Sequence, residues 1–253
     1  MEFKTLDFSI DGDIGVLTLR RPDVLNAFDI PMARELDALA TELCLRPSAR
    51  ALIITGEGRG FCAGGDLGSF RQPLAQMEAH SLEITGHLHA AISNFSRMDI
   101  PTVAAVNGVA AGAGFALVCA CDMAVAARSA VFLAAYTLAG LSPDLGLTHF
   151  LPRLVGLSVA KAILLTNRKI PAEEALRIGL VHEVVPDGES LAAALSSCEL
   201  MLKGSSAAIG VTKRLLLEGR TAELGHQLAS ERTALATLSA TQEAYDRCRR
   251  FVK

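Results

Sequence analysis

The stretch PTVAAVNGVAAGAGFALVCA, residues 101–120, decides the architecture because it admits two opposed readings. It fills most of a run between Asp99 and Asp122 in which no residue is charged, and a hydropathy window alone would read it as a membrane span. Its punctuation argues otherwise. Asn107-Gly108 sits in the middle, and an Asn-Gly pair forms turns because both residues tolerate positive φ. Pro101 opens the stretch, Gly112 and Gly114 interrupt it, and alanines outnumber leucines. It therefore reads as a buried strand (Thr102 to Val106), a turn and a buried helix (Gly112 to Cys121), each too short to cross a bilayer.

Working outward, strand signals recur on both sides with helices between them. Phe3 to Ile10 and Val16 to Leu19 alternate about a turn at Gly12, and Leu52 to Thr55 and Met123 to Ala126 are short apolar strands. Met32, Leu36, Leu39, Ala40 and Leu43 recur at helical spacing behind Pro31, and a long helix is predicted from about Leu74 to Asn94. Strands separated by helices imply right-handed crossovers and a mainly parallel sheet, hence an α/β fold. After Pro143 the pattern turns helical: Leu145 to Val155, Ser158 to Leu165, Ala172 to Ile178, Leu191 to Leu202, Ala207 to Leu217 and Thr221 to Arg247. Only Val181 to Val185 reads as a strand there. The expected organisation is an α/β core over residues 1–190 and a helical C-terminal region over 191–253.

Composition narrows the function. At 253 residues and 51% apolar, the chain can bury a large core. Aromatics are scarce and Trp is absent, which disfavours a carbohydrate or nucleobase site. The net charge is −3 and the densest basic cluster is the terminal Arg247, Arg249, Arg250 and Lys253, so nucleic acid is not an expected partner. The six cysteines show neither a disulfide framework nor paired C-x-x-C spacing, which predicts reduced thiols in a cytoplasmic protein and no metal. Met1-Glu2-Phe3-Lys4 opens no signal-peptide core.

Two glycine-rich stretches carry the chemistry. One is Gly60-Phe61-Cys62-Ala63-Gly64-Gly65-Asp66-Leu67 after a strand. The other is Asn107 to Phe115, running from a strand into a helix. Small residues let backbone approach a ligand, and a helix N-terminus offers unpaired amides and a positive dipole end. An oxygen that becomes anionic during reaction is the natural guest. A dinucleotide site is excluded because Leu117 stands where its third glycine belongs, and no Gly-Lys-Ser/Thr phosphate loop occurs. A nucleophile elbow fails because Ala113 replaces its serine.

These stretches, with Arg21-Pro22, Leu25-Asn26-Ala27-Phe28, CDMAVAA at 121–127, GLSPDLG at 140–146, PRLVG at 152–156 and AEEALRIGLV at 172–181, resemble in order the signatures of the enoyl-CoA hydratase/isomerase (crotonase) family. The resemblance implies a crotonase spiral of ββα units with a helical trimerisation region, forming a homotrimer or a dimer of trimers. It implies an acyl-CoA substrate, with coenzyme A entering as part of that substrate and no separate cofactor. By the same resemblance the Ala63 and Ala113 amides are the two oxyanion donors. Leu25 to Ala27 and Asp66-Leu67 are the segments that hold the coenzyme A moiety. The two positions at which family hydratases carry glutamates are Ala116 and Tyr136 here, so a standard hydratase is not expected. Tyr136 is left to donate a proton or to shape the acyl pocket. Asp144 falls where family isomerases, including those acting on a double bond or on an epoxide of phenylacetyl-CoA, carry a catalytic carboxylate. Read without the family, Asp144 is more simply a helix-start carboxylate.

The expectation is thus an isomerase with Asp144 as proton shuttle. The alternatives are a hydratase with an atypical site and a non-catalytic acyl-CoA-binding protein. Leu141, Leu145 and Leu147 would raise the Asp144 pKa by desolvation, and a helix start would lower it. His87 and His89, two apart on one helix, point to different faces and cannot share a metal. Cys62 reads as packing, and Asp66 as a turn carboxylate or an orienter of its loop.

Overall fold

The computed structural model describes residues 3–71 and 73–250; Met1, Glu2 and Lys253 of the termini considered above lie outside them. In chain order the elements are β1 Leu6–Asp11, β2 Ile14–Leu19, α1 Ile30–Leu45, β3 Ala51–Gly56, β4 Gly60–Cys62, α2 Leu74–Arg97, β5 Thr102–Val106, β6 Val109–Ala111, α3 Ala113–Ala120, β7 Met123–Ala127 and β8 Val131–Leu133. There follow α4 Leu147–Val155, α5 Leu157–Thr166, β9 Ile170–Pro171, α6 Ala172–Arg177, β10 Glu183–Val185, α7 Ser190–Leu202, α8 Ser206–Glu218, α9 Leu224–Ser239 and α10 Gln242–Arg249. The uncharged stretch becomes β5, β6 and α3, and among the described residues no helix is long and apolar enough to cross a membrane.

Six strands form one sheet in the order β1-β2-β3-β5-β7-β10, antiparallel only between β1 and β2. Its parallel strands are apolar on both sides because both faces are covered. Leu52, Ile54, Ala104, Val106, Ala124 and Ala126 face the main core, and the alternate residues Ile53, Val103, Ala105 and Val125 face a second cluster. Ala194 and Cys198 of α7 close that second cluster. Thus α7, read from sequence as the start of the C-terminal region, covers a face of the core sheet. On the other side α1 packs on α2, burying the expected stripe from Met32 to Leu43 against Ile84, Leu88, Ala91 and Phe95. Asp29 caps α1 by accepting the Met32 amide at 2.9 Å.

A second sheet, β4-β6-β8-β9, follows the first. Its strands have two or three residues each, too few for periodicity to reveal. The stretch read as one helix from Thr221 to Arg247 divides into α9 and α10, where Thr241 caps the new helix by accepting the Ala244 amide. Lys213 anchors α8 to the core: its buried Nζ donates to the Phe95 and Ile100 carbonyls at 2.7 and 3.0 Å and pairs with Asp122 at 2.7 Å. Beyond α8 the burial stops. No residue of α9 is buried, and Leu224 and Leu235 are 73% and 72% exposed.

The functional consequence lies at the C-terminal ends of β3 and β5. These neighbours run parallel, so both glycine-rich loops leave the sheet at the same end, the usual ligand side of a parallel sheet.

Candidate active site

A cavity of about 320 Å³ opens where the two loops meet, lined among others by Gly65, Leu67, Ala113, Tyr136 and Asp144. Main-chain groups form one face of it. Gly64, at φ +98°, lies so close to the second loop that a Cβ would stand 2.9 Å from the Ala111 oxygen and 3.3 Å from the Ala113 nitrogen. Gly114 likewise admits no side chain, since its Cβ would meet the Cys62 carbonyl oxygen at 2.2 Å. The glycines therefore let the first loop press against the start of α3.

The amides on this face differ from the sequence expectation. The Ala63 N–H donates to the Leu25 carbonyl at 2.9 Å, so this expected donor is already taken up within the protein. The open amide lies two residues on. Gly65 bridges Phe28: the Phe28 amide donates to Gly64 O at 2.7 Å, and the Asp66 amide to Phe28 O at 2.8 Å. In extended backbone the groups of the intervening residue turn to the opposite side. The Gly65 N–H thus faces away from Phe28, and no acceptor bonds it among the described residues. Gly65 lines the cavity and Ala63 remains beside it. Ala113 is the first residue of α3, so its N–H has no intrahelical acceptor and stands at the positive end of the helix. The available donor pair is Gly65 and Ala113.

Behind the first loop lies a polar clamp. Asn26, fully buried and left-handed at φ 58°, accepts the Arg21 amide at 2.8 Å and donates to the Glu57 and Gly60 carbonyls at 2.9 Å each. The Arg21 guanidinium donates to the Ala27 carbonyl and pairs with Asp66 at 2.9 Å and Asp29 at 3.1 Å. Asp66 also accepts the Gly68 amide at 2.8 Å, so it is both a turn carboxylate and an anchor of the loop. Leu25, Ala27 and Asp66 stand behind the loop, outside the cavity wall; Leu67, largely exposed, stands on that wall. No role for Arg21 or Asn26 was legible beyond the motif; a lone Asn in an apolar run was the only signal.

Side chains form another part of the wall. The Tyr136 hydroxyl donates to Asp144 Oδ1. Among the described residues Asp144 is the only carboxylate on the wall, which it shares with the apolar Ile84, Leu88 and Leu141. Burial raises its pKa, outweighing the Tyr136 hydrogen bond, which acts downward. The Tyr136 phenol is also pushed up, by burial first and then by the Asp144 charge, which keeps it a hydrogen-bond donor. Asp144 does not start a helix. It precedes a tight turn in which the Leu147 amide donates to Asp144 O at 2.9 Å, with Leu145 and Gly146 left-handed. The helix begins at Leu147, so its dipole acts from a turn away. Ala116 is fully buried within α3, outside the cavity wall.

Cys62 is fully buried, and burial pushes its thiol up to about 12, too high for a nucleophile near neutral pH. His87 bonds Asp37 at 3.0 Å on α1, whereas His89 accepts the Leu145 amide at 3.3 Å. The two rings diverge as their spacing requires.

The chain is similar to known proteins in sequence and in fold. Residues 9–252 match the family model described as enoyl-CoA hydratase/isomerase. A Rhodobacter capsulatus protein named probable enoyl-CoA hydratase is 40% identical over 91% of this chain and 88% of its own. The 1,2-epoxyphenylacetyl-CoA isomerase of Escherichia coli is 32% identical over 88% of this chain and 86% of its own. The crystal structure of an enoyl-CoA hydratase from Polaromonas superposes with a TM-score of 0.93 at 31% identity, covering 98% of this chain and 96% of that one.

Proposed function

The chain belongs to the enoyl-CoA hydratase/isomerase family of acyl-CoA enzymes and has the crotonase fold, and on that premise we propose that it is an acyl-CoA isomerase with Asp144 as its proton shuttle. The observation that carries this reading is that Asp144, hydrogen-bonded to Tyr136, is the single carboxylate among the described residues on the wall of the cavity that Gly65 and Ala113 also line.

A thioester oxygen seated between the Gly65 and Ala113 amides gains negative charge as the α-proton leaves. Preorganised donors aimed at that oxygen stabilise the enolate more than the ground state, each by on the order of 100- to 1000-fold in rate. Asp144, made more basic by burial, takes the α-proton. The electron pair delocalises onto the thioester oxygen and, in a 3-enoyl substrate, over the neighbouring double bond. The same carboxyl returns the proton at the γ-carbon, so a 3-enoyl thioester becomes the 2-enoyl isomer with no atom gained or lost. Tyr136 holds the carboxylate toward the substrate throughout. Leu67 flanks the entrance along which the pantetheine arm would pass, and Leu25, Ala27 and Asp66 support that wall from behind.

A hydratase is the second reading, favoured by the name of the Rhodobacter relative. Holding and activating water would ordinarily use two carboxylates, and the wall offers one. The test is product analysis with a 3-enoyl-CoA and with crotonyl-CoA. The isomerase reading expects the 2-enoyl product from the first and slow or absent hydration of the second. A 3-hydroxyacyl product formed at ordinary enzymatic rates would favour the hydratase.

Assembly belongs to the same proposal. The exposed leucines of α9, with Leu216 of α8, are more apolar surface than an isolated chain tolerates well, and we assign them to contact between copies in a homotrimer or a dimer of trimers. A monomer in sedimentation at micromolar concentration would contradict that assignment.

A further inference from the structure

We infer that His89 is a positioning residue for Asp144, acting through the Leu145 amide. The inference rests on the shuttle role proposed for Asp144.

The turn that presents Asp144 is strained. Leu145 is left-handed at φ 48°, a conformation that is unfavourable for a residue with a Cβ, and Gly146 follows at φ 74°. Leu145 is 1% exposed, so its amide needs a protein acceptor. No backbone carbonyl supplies one among the described residues; His89 Nε2 does, at 3.3 Å. The imidazole therefore holds the peptide unit that joins Asp144 to Leu145, and so the direction in which the carboxylate leaves the main chain.

The ring is well sited for this. His89 lies on α2, whose Ile84 and Leu88 line the same cavity as Asp144. The helix that shapes the acyl pocket thus also fixes the base against it. Tyr136 holds the carboxylate from one side and His89 holds its backbone from the other. His89 itself lines a separate depression with Ser93, Arg97, Leu145 and His149. It does not line the substrate cavity, so its effect passes through Leu145.

The test compares His89→Ala, which removes the acceptor, with His89→Gln, whose Oε1 can reach the place of Nε2. Exchange of substrate α-protons in heavy water is followed for both, with Asp144→Asn as control. His89→Ala should lower kcat about tenfold while KM changes less than twofold, and the Leu145 amide should lose protection from hydrogen exchange. His89→Gln should restore most of the kcat and the protection. Unchanged kcat in His89→Ala, with Asp144→Asn inactive, would overturn the inference and leave the shuttle intact. A His89→Gln variant that is protected at Leu145 yet as slow as His89→Ala would also overturn it, since the ring would then act chemically. If Asp144→Asn exchanges at the wild-type rate, the shuttle reading fails first and the inference falls with it.

Discussion

The two faces of the cavity are built on different principles. The amide face is made of main chain locked by the fold: Gly64 against residues 111–113, Gly114 against Cys62, and the Phe28 bridge that turns Gly65 outward. The carboxylate face rests on single side chains, with Tyr136 on Asp144 and His89 beneath Leu145. Backbone held by packing carries no chemical identity, so the amide face suits any thioester. On the proposed reading, the side-chain face decides what happens to the enolate. One fold can therefore keep its oxyanion hole and change its reaction by changing a few residues across the cavity.

The largest effect should come from breaking the amide face without unfolding it. Ala113 is at the first position of α3, where proline is tolerated and only the N–H is lost. Ala113→Pro should lower turnover at least about 100-fold, with acyl-CoA binding less affected. Steady-state kinetics beside a thermal melt would check this; a folded variant with normal turnover would remove Ala113 from the oxyanion hole.

On the carboxylate face, Tyr136→Phe should act through pH. The hydroxyl bonds the charged form of Asp144, so removing it destabilises the carboxylate and raises a pKa that burial has already raised. The base is active when deprotonated, so as pH falls activity is lost sooner. The acid limb of kcat/KM should move upward by about one pH unit, the value of one charge-assisted hydrogen bond. A limb that stays in place would show that Tyr136 only shapes the pocket.

The contrast between the faces also explains what the sequence made legible. The strand, turn and helix of residues 101–120 could be read because an uncharged run broken by Asn-Gly has few other solutions. The two glycine loops could be read as a main-chain wall of the cavity because their composition serves close approach of backbone. Which amide is free could not. The Leu25 carbonyl takes Ala63, and Phe28 aims Gly65, and both partners lie more than thirty residues away. Asp144 was legible by motif, but its bond to Tyr136 depends on a left-handed turn that no periodicity encodes. His89 was weighed only as a metal ligand beside His87, and its tie to Leu145 spans 56 residues.

The smallest effect should be indirect. Arg21→Lys keeps the charge near Asp66 and Asp29 but loses the planar fork that also reaches the Ala27 carbonyl. A looser first loop should cost roughly 3- to 10-fold in kcat, because a donor slightly misplaced still serves. A loss as large as that of Ala113→Pro would mean that the clamp, rather than the glycine contacts, fixes the amide face.

The most direct test of the account is the exchange of substrate α-protons in heavy water, wild type against Asp144→Asn. The substitution keeps the size and removes the base, and neither amide donor is touched. Exchange should fall by about 100-fold or more while a CoA thioester still binds. Equal exchange in the two proteins would contradict the shuttle and leave Asp144 as a structural residue of the turn before α4.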